Sequence, residues 1–232
     1  MAARGRLVAT VVVIALGLLD AEMPEPRVRV FGVGFKKTGT TSFSTACSEM
    51  GLDEMSGPRK ADLLKLERGL VSGDRAKAEA FFALVDRHEC FQDSPFTNAA
   101  VVPRLAERYP DARFVLTRRN STEWVGSARR WIAHKQPENA NYGPQFWEKL
   151  GWPRGPPPSD ADAEDIIVGH DRAVREYFSS RRASHRLLEI EFAKEHDPDQ
   201  FWGRLCPFVG LRTRCPCPPV PLSNANARSG RR

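Results

Sequence analysis

Apolar and polar residues along the chain follow two rhythms, one of period two and one near 3.6, which mark strands and helices respectively. The first β-rich run is Val28-Arg29-Val30-Phe31-Gly32-Val33-Gly34, and Thr40 to Met50 then predicts a helix stopped at Gly51. Residues 60–70 predict a second helix. Asp74 to Arg87 predicts a third, capped by Asp74, with Ala78, Phe81, Phe82 and Val85 recurring on one face. Glu89-Cys90-Phe91-Gln92 reads as a short strand, Asn98 to Tyr109 as a helix interrupted by Pro103, and Arg113-Phe114-Val115-Leu116-Thr117 as the clearest buried strand. Asn120 and Glu123 have capping-box spacing ahead of a helix over Trp124 to His134. Gln136 to Asp160 is rich in Pro, Gly, Asn and Trp and lacks a period, so it predicts a long surface loop with one helical turn near Phe146-Trp147. A helix over Asp162 to Ser180, a strand over His185 to Phe192 and a helix over Pro198 to Gly210 follow. Strands alternating with helices predict an α/β fold, a parallel sheet covered by helices on both faces.

With 232 residues, 41% of them hydrophobic and 28% charged, the chain has the proportions of one globular domain, which excludes disordered and fibrous classes. The formal charge of +6 admits an anionic ligand, nucleic acid or a membrane surface as partner. No base-reading module or aromatic-basic repeat is present, so nucleic acid is not expected. Arg4 and Arg6 precede an apolar run from Leu7 to Leu19, the pattern of a secretory signal. As a helix that run spans ~20 Å, short of a hydrocarbon core of roughly 30 Å. Residues 1–24 are therefore expected to be a signal peptide or short signal anchor, with membrane association through 7–19 and a secretory or Golgi location; a strand or helix of the fold, and hence a cytoplasmic protein, is the alternative. Residues 25–226 form the expected domain and 227–232 a basic tail. Cys47, Cys90, Cys206, Cys215 and Cys217 are expected to be idle thiols, the alternative being one disulfide among the last three. His88, His134, His170, His185 and His196 share no ligand spacing, so no metal site is predicted.

Most of the chemistry is concentrated in Gly34-Phe35-Lys36-Lys37-Thr38-Gly39-Thr40-Thr41-Ser42. A loop running from a strand into a helix N-terminus offers unpaired backbone N–H groups and the positive end of the helix dipole, which together bind phosphate or sulfate. Gly39 lets the backbone bend, and the Thr40, Thr41 and Ser42 hydroxyls add donors. Counting as in a nucleotide-triphosphatase loop, Thr40 stands where lysine is required, and Lys37 lies before the second glycine instead. That disfavours a kinase or NTPase, which stays open as an alternative beside an inactive nucleotide-binding relative.

Lys37-Thr38-Gly39-Thr40-Thr41 resembles the 5′-phosphosulfate loop of P-loop sulfotransferases. Arg119 at a strand end, with Ser127 eight residues on, resembles that family's 3′-phosphate pair. Gln92-Asp93-Ser94-Pro95-Phe96, Tyr109 to Leu116, and Phe201 to Gly210 with Pro219 to Asn224 resemble one subgroup, although the insertion Arg212 to Cys217 and the missing Phe before proline depart from it. The resemblance implies a P-loop-type three-layer α/β/α domain that uses 3′-phosphoadenosine 5′-phosphosulfate without metal. Its acceptor would be a small molecule or glycan bearing a hydroxyl or amine. Lys37, Thr38, Gly39, Thr40, Thr41, Ser42, Arg119 and Ser127 would bind the co-substrate. Lys37 would also stabilise charge on the leaving oxygen, and Asp93, at the end of the second predicted strand, is the expected general base. His88 is the second candidate for that base. Trp124 is expected either to shape the adenine pocket or to pack. Tyr142, Phe146, Trp147 and Trp152 of the long loop form either an acceptor lid or a satellite core.

Overall fold

The computed structural model describes residues 28–55, 58–195, 197–211 and 218–220, with backbone alone at 58–61. The expected leader, the membrane association through 7–19, the tail 227–232, Cys215 and Cys217 lie outside the described residues. Among the described residues no helix is long and apolar enough to cross a membrane.

Four strands, β1 (Val30–Gly32), β2 (Cys90–Phe91), β3 (Arg113–Thr117) and β4 (Leu187–Ile190), form one sheet in the order β2-β1-β3-β4, with every pair parallel. Side chains alternate across a strand. Phe31, Phe91, Phe114 and Leu116 therefore face one way, against α2 (Pro58–Ser72), α3 (Arg75–Val85), α4 (Val102–Arg108) and the far end of α7 (Asp160–Ser180). Val30, Cys90, Val115 and Ile190 face the other, against α1 (Thr40–Glu49) and α8 (Pro198–Phe208). Both faces are covered, which gives three layers. Phe31 stacks at 4.7 Å on Phe91 and 5.4 Å on Phe114 across the strands. Each such fully buried ring contributes roughly 1.5–3 kcal/mol.

Several elements differ from expectation for local reasons. Helix α4 begins at Val102, so Pro103 occupies the first turn, where its missing N–H costs nothing, rather than the middle of a longer helix. Helix α7 starts at Asp160, under a complete capping box between Ser159 and Asp162. At α5 (Ser121–Lys135), Asn120 accepts from the Glu123 N–H, but the Glu123 carboxylate pairs with Arg119 at 3.6 Å, so the cap is one-sided. The expected loop 136–160 contains a two-turn helix, α6 (Tyr142–Glu148), with Phe146 and Trp147 buried against Trp124 and Ile132 of α5.

The expectation of idle thiols fails at Cys47 and Cys90, which are fully buried and joined by a disulfide between α1 and β2. Sequence spacing does not reveal it, because 43 residues separate two positions that the sheet brings together. Cys206 is disulfide-bonded as well.

Candidate active site

All four strands point their carboxyl ends the same way, and the chain leaves β1 first toward β2 and later, on the opposite side, toward β3. Such a reversal opens a crevice at the strand ends. The anion loop fills it. Gly34 is indispensable there: a Cβ would lie 2.1 Å from Thr117 Oγ1 and 2.2 Å from the Thr117 carbonyl oxygen at the end of β3. The loop then folds on itself. Thr38 donates both its N–H (3.2 Å) and its hydroxyl (2.5 Å) to the Phe35 carbonyl, and its oxygen meets Thr117 Oγ1 at 2.6 Å. With both protons committed, Thr38 closes the loop and donates nothing outward.

Gly39 caps α1 at φ 119°, a left-handed conformation that favours glycine, and has no side chain to bond the helix start. The first helical bond runs from Phe43 N–H to Gly39 C=O, so the Thr40 and Thr41 N–H groups take no acceptor among the described residues. Their orientation leaves an anion cradle at the positive end of α1. Thr40 and Ser42 are buried, and Thr41 is exposed.

Lys37 sits at φ 71°, outside the usual region for a residue with a Cβ, and its ammonium lies 4.1 Å above the Trp131 ring. A strained backbone at the tip of a ligand loop fits a functional position. Burial first, then the charges of Arg119 and Arg130, push its pKa below the ordinary lysine value, with Asp93 opposing them. Arg119 Nη1 donates to the Lys37 carbonyl at 3.3 Å, joining positions 82 apart in sequence. Its Nε is buried without a hydrogen bond. Trp124, fully buried, donates its indole N–H to the Lys36 carbonyl at 2.8 Å. It therefore packs and tethers the loop rather than opening an adenine pocket. Ser127 stands three residues after Trp124 and four before Trp131, on the one face of α5 whose neighbours both touch the anion loop. Phe35 completes the support between Trp124 (6.0 Å) and the buried His170 ring (3.9 Å).

Asp93 follows β2 at φ 65°, with Oδ1 buried and unpartnered, and its charge reaches Lys37. A buried carboxylate oxygen without a donor suits a group awaiting a proton. His88 is neither solvated nor at the crevice: it is buried, with Nδ1 2.9 Å from Asp53 Oδ2. It falls out as a base. Arg118, next to Arg119 in the chain, turns away from it because successive residues face oppositely. It pairs with Glu189 at 2.9 Å and Asp171 at 3.6 Å, and Arg175 makes a two-pronged bond to the same Glu189 at 2.7 and 3.0 Å.

Sequence reasoning missed Trp131 and Arg130. Trp131 lies four residues beyond Ser127, so helical spacing offered a signal for it, and its indole N–H donates to the Tyr142 hydroxyl at 2.8 Å. Helix α6 thereby forms a wall facing Lys36 and Ser94, while Trp147 on its other face borders a cavity of about 370 Å³. Of the loop aromatics, Phe146 and Trp147 are core, and Tyr142 lines the cleft with Lys36 and Ser94. Among the described residues no group of three or more His, Cys, Asp or Glu side chains converges on one point.

A crystal structure of a sulfotransferase from Alicyclobacillus acidocaldarius shares this fold, with a TM-score of 0.53 and 20% identity over 82% of this chain and 84% of that chain. No curated protein matches the chain. The sequence profile described as a sulfotransferase domain matches residues 29–230, and the chain belongs to that family.

Proposed function

We propose that the protein transfers a sulfuryl group from 3′-phosphoadenosine 5′-phosphosulfate to a hydroxyl acceptor. The observation that carries this reading is the junction of Arg119 with the Lys37 carbonyl, which sets a guanidinium and the Ser127 face of α5 beside the uncapped start of α1. A donor with phosphate at both ends of its nucleoside matches two such anion sites, and a single cradle would not. Thr40 and Thr41, with their free N–H groups, and Ser42 would hold the 5′-phosphate, Gly39 would permit the approach, and Arg119 and Ser127 would hold the 3′-phosphate. Thr38 supports them by closing the loop.

The bound donor supplies the group that moves from a phosphate oxygen to the acceptor oxygen. Asp93 takes the proton that the acceptor hydroxyl loses, and the Lys37 ammonium stabilises the negative charge left on the phosphate oxygen. Lowering the Lys37 pKa makes it a readier hydrogen-bond donor to that oxygen. Calorimetry with adenosine 3′,5′-bisphosphate against ATP and Mg²⁺ tests the reading: the bisphosphate should bind without metal and ATP should not compete at equal concentration. ATP binding that requires Mg²⁺ would favour a kinase-like site instead.

The Cys47–Cys90 disulfide also supports a place in an oxidising compartment, in line with the expected secretory leader. Maleimide labelling of both cysteines in freshly isolated protein, without reductant, would contradict it.

A further inference from the structure

A narrow cleft opens between the anion loop and α6, lined by Lys36, Ser94, Tyr142, Gln145, Phe146 and Lys149. Its position follows from the elements already described. Lys36 precedes the loop lysine, Ser94 follows Asp93, and the face of α6 turned toward them carries Tyr142, Gln145 and Phe146, with Lys149 one turn on. The cleft is thus bordered by the immediate chain neighbours of Lys37 and Asp93.

Its charge is one-sided. Lys36 and Lys149 have no ion-pair partner among the described residues, and no carboxylate lines the cleft. The neighbouring basic groups are otherwise engaged: Lys37 lies over Trp131, and Arg119 is bonded to the loop. Even the Lys36 carbonyl is taken, by Trp124. Glu148, beside Lys149 in sequence, pairs with Arg154 on the opposite side of α6. Tyr142 adds flat aromatic surface, and the buried Phe146 contributes only an edge.

We infer that the acceptor is acidic: a hydroxylated molecule with a ring to lie against Tyr142 and a carboxylate or sulfate to meet Lys36 and Lys149. Two unpaired ammonium groups facing the same cleft repel one another and are relieved by an anion between them. This inference rests on the sulfotransfer reading, which places the acceptor here.

The test compares molecules that differ in charge alone. Protein saturated with adenosine 3′,5′-bisphosphate is titrated calorimetrically with para-nitrophenyl glucuronide and para-nitrophenyl glucoside, and with a hydroxyphenyl propionate and its neutral propyl counterpart. In at least one pair the acid should bind about tenfold more tightly at low salt, with the ratio shrinking as salt is added. Lys149→Glu should cut that ratio about fivefold or more, and Lys36→Met should cut it as well, while bisphosphate affinity in Lys149→Glu stays unchanged. Equal or weaker binding of the acid in both pairs, no binding of any of the four, or a ratio indifferent to Lys149→Glu would overturn the inference. Failure of the bisphosphate itself to bind would instead overturn the donor reading beneath it.

Discussion

The two sides of the crevice are built by different physics. On the donor side the backbone is the device: Gly34 lies where Thr117 leaves no room for a side chain, Thr38 ties the loop to its own Phe35 carbonyl, and α1 begins with open N–H groups. On the acceptor side a short helix is held by aromatic packing, with Trp147 against Trp124 at 6.1 Å and one bond from the Trp131 indole to Tyr142. Main-chain geometry tolerates almost no substitution, whereas apolar packing accepts many residue sets of similar volume. A site built the first way stays fixed while a wall built the second way can change.

That contrast predicts that donor-side and acceptor-side changes separate in two readouts, bisphosphate affinity and turnover. Asp93→Asn stands between the sides and should have the largest effect, lowering turnover by ~10²–10⁴-fold while bisphosphate affinity moves less than about twofold. Lys37→Met should reduce turnover by ~10²–10³-fold. The pH profile reads the same lysine. Its ammonium works protonated, and its pKa is lowered by burial and by Arg119 and Arg130, so kcat/KM should fall on the alkaline side at a pH below the ordinary lysine range. Lys37→Arg, which does not titrate there, should lose that limb. Gly34→Ala should cost about 3 kcal/mol, seen as a lower denaturant midpoint, together with loss of bisphosphate binding, since either the loop or the β3 end must shift. Tyr142→Phe should be mildest, removing one bond worth ~1 kcal/mol, with acceptor KM rising about fivefold and bisphosphate affinity intact. If Tyr142→Phe weakened bisphosphate binding as much as Gly34→Ala does, the division into two sides would collapse.

Legibility in the sequence follows the same division. The stretch Lys37 to Ser42 is readable as a loop entering a helix because loop, cap and hydroxyls are adjacent in the chain, whereas Arg119 and Ser127 stand on a resemblance, and their joint role belongs to the proposal. The alternation of faces along β1 and β3 likewise appears directly as Val30-Phe31 and Phe114-Val115-Leu116. Features made by distant residues were hidden. Cys47 and Cys90 meet only once β2 lies beside β1, and Arg118 finds Glu189 only once β4 lies beside β3. Helix α6 was obscured because Gly143 and Pro144 lower local propensity. Pro144 falls within the first turn, where it is tolerated, and burial of Phe146 and Trp147 outweighs the rest. The contacts of Thr38 were hidden for a related reason: its hydroxyl meets Thr117, 79 residues on, only once the loop lies beside the end of β3.

The central claim is that the anion loop and the Arg119–Ser127 segment form one site for a doubly phosphorylated nucleoside. Its most direct test is calorimetry of Arg119→Met and wild-type protein with adenosine 3′,5′-bisphosphate and with adenosine 5′-monophosphate. Loss of a charge-assisted guanidinium–phosphate contact should weaken the bisphosphate by ~10–100-fold and leave the monophosphate within about twofold. Equal weakening of both ligands, or of neither, would contradict the claim.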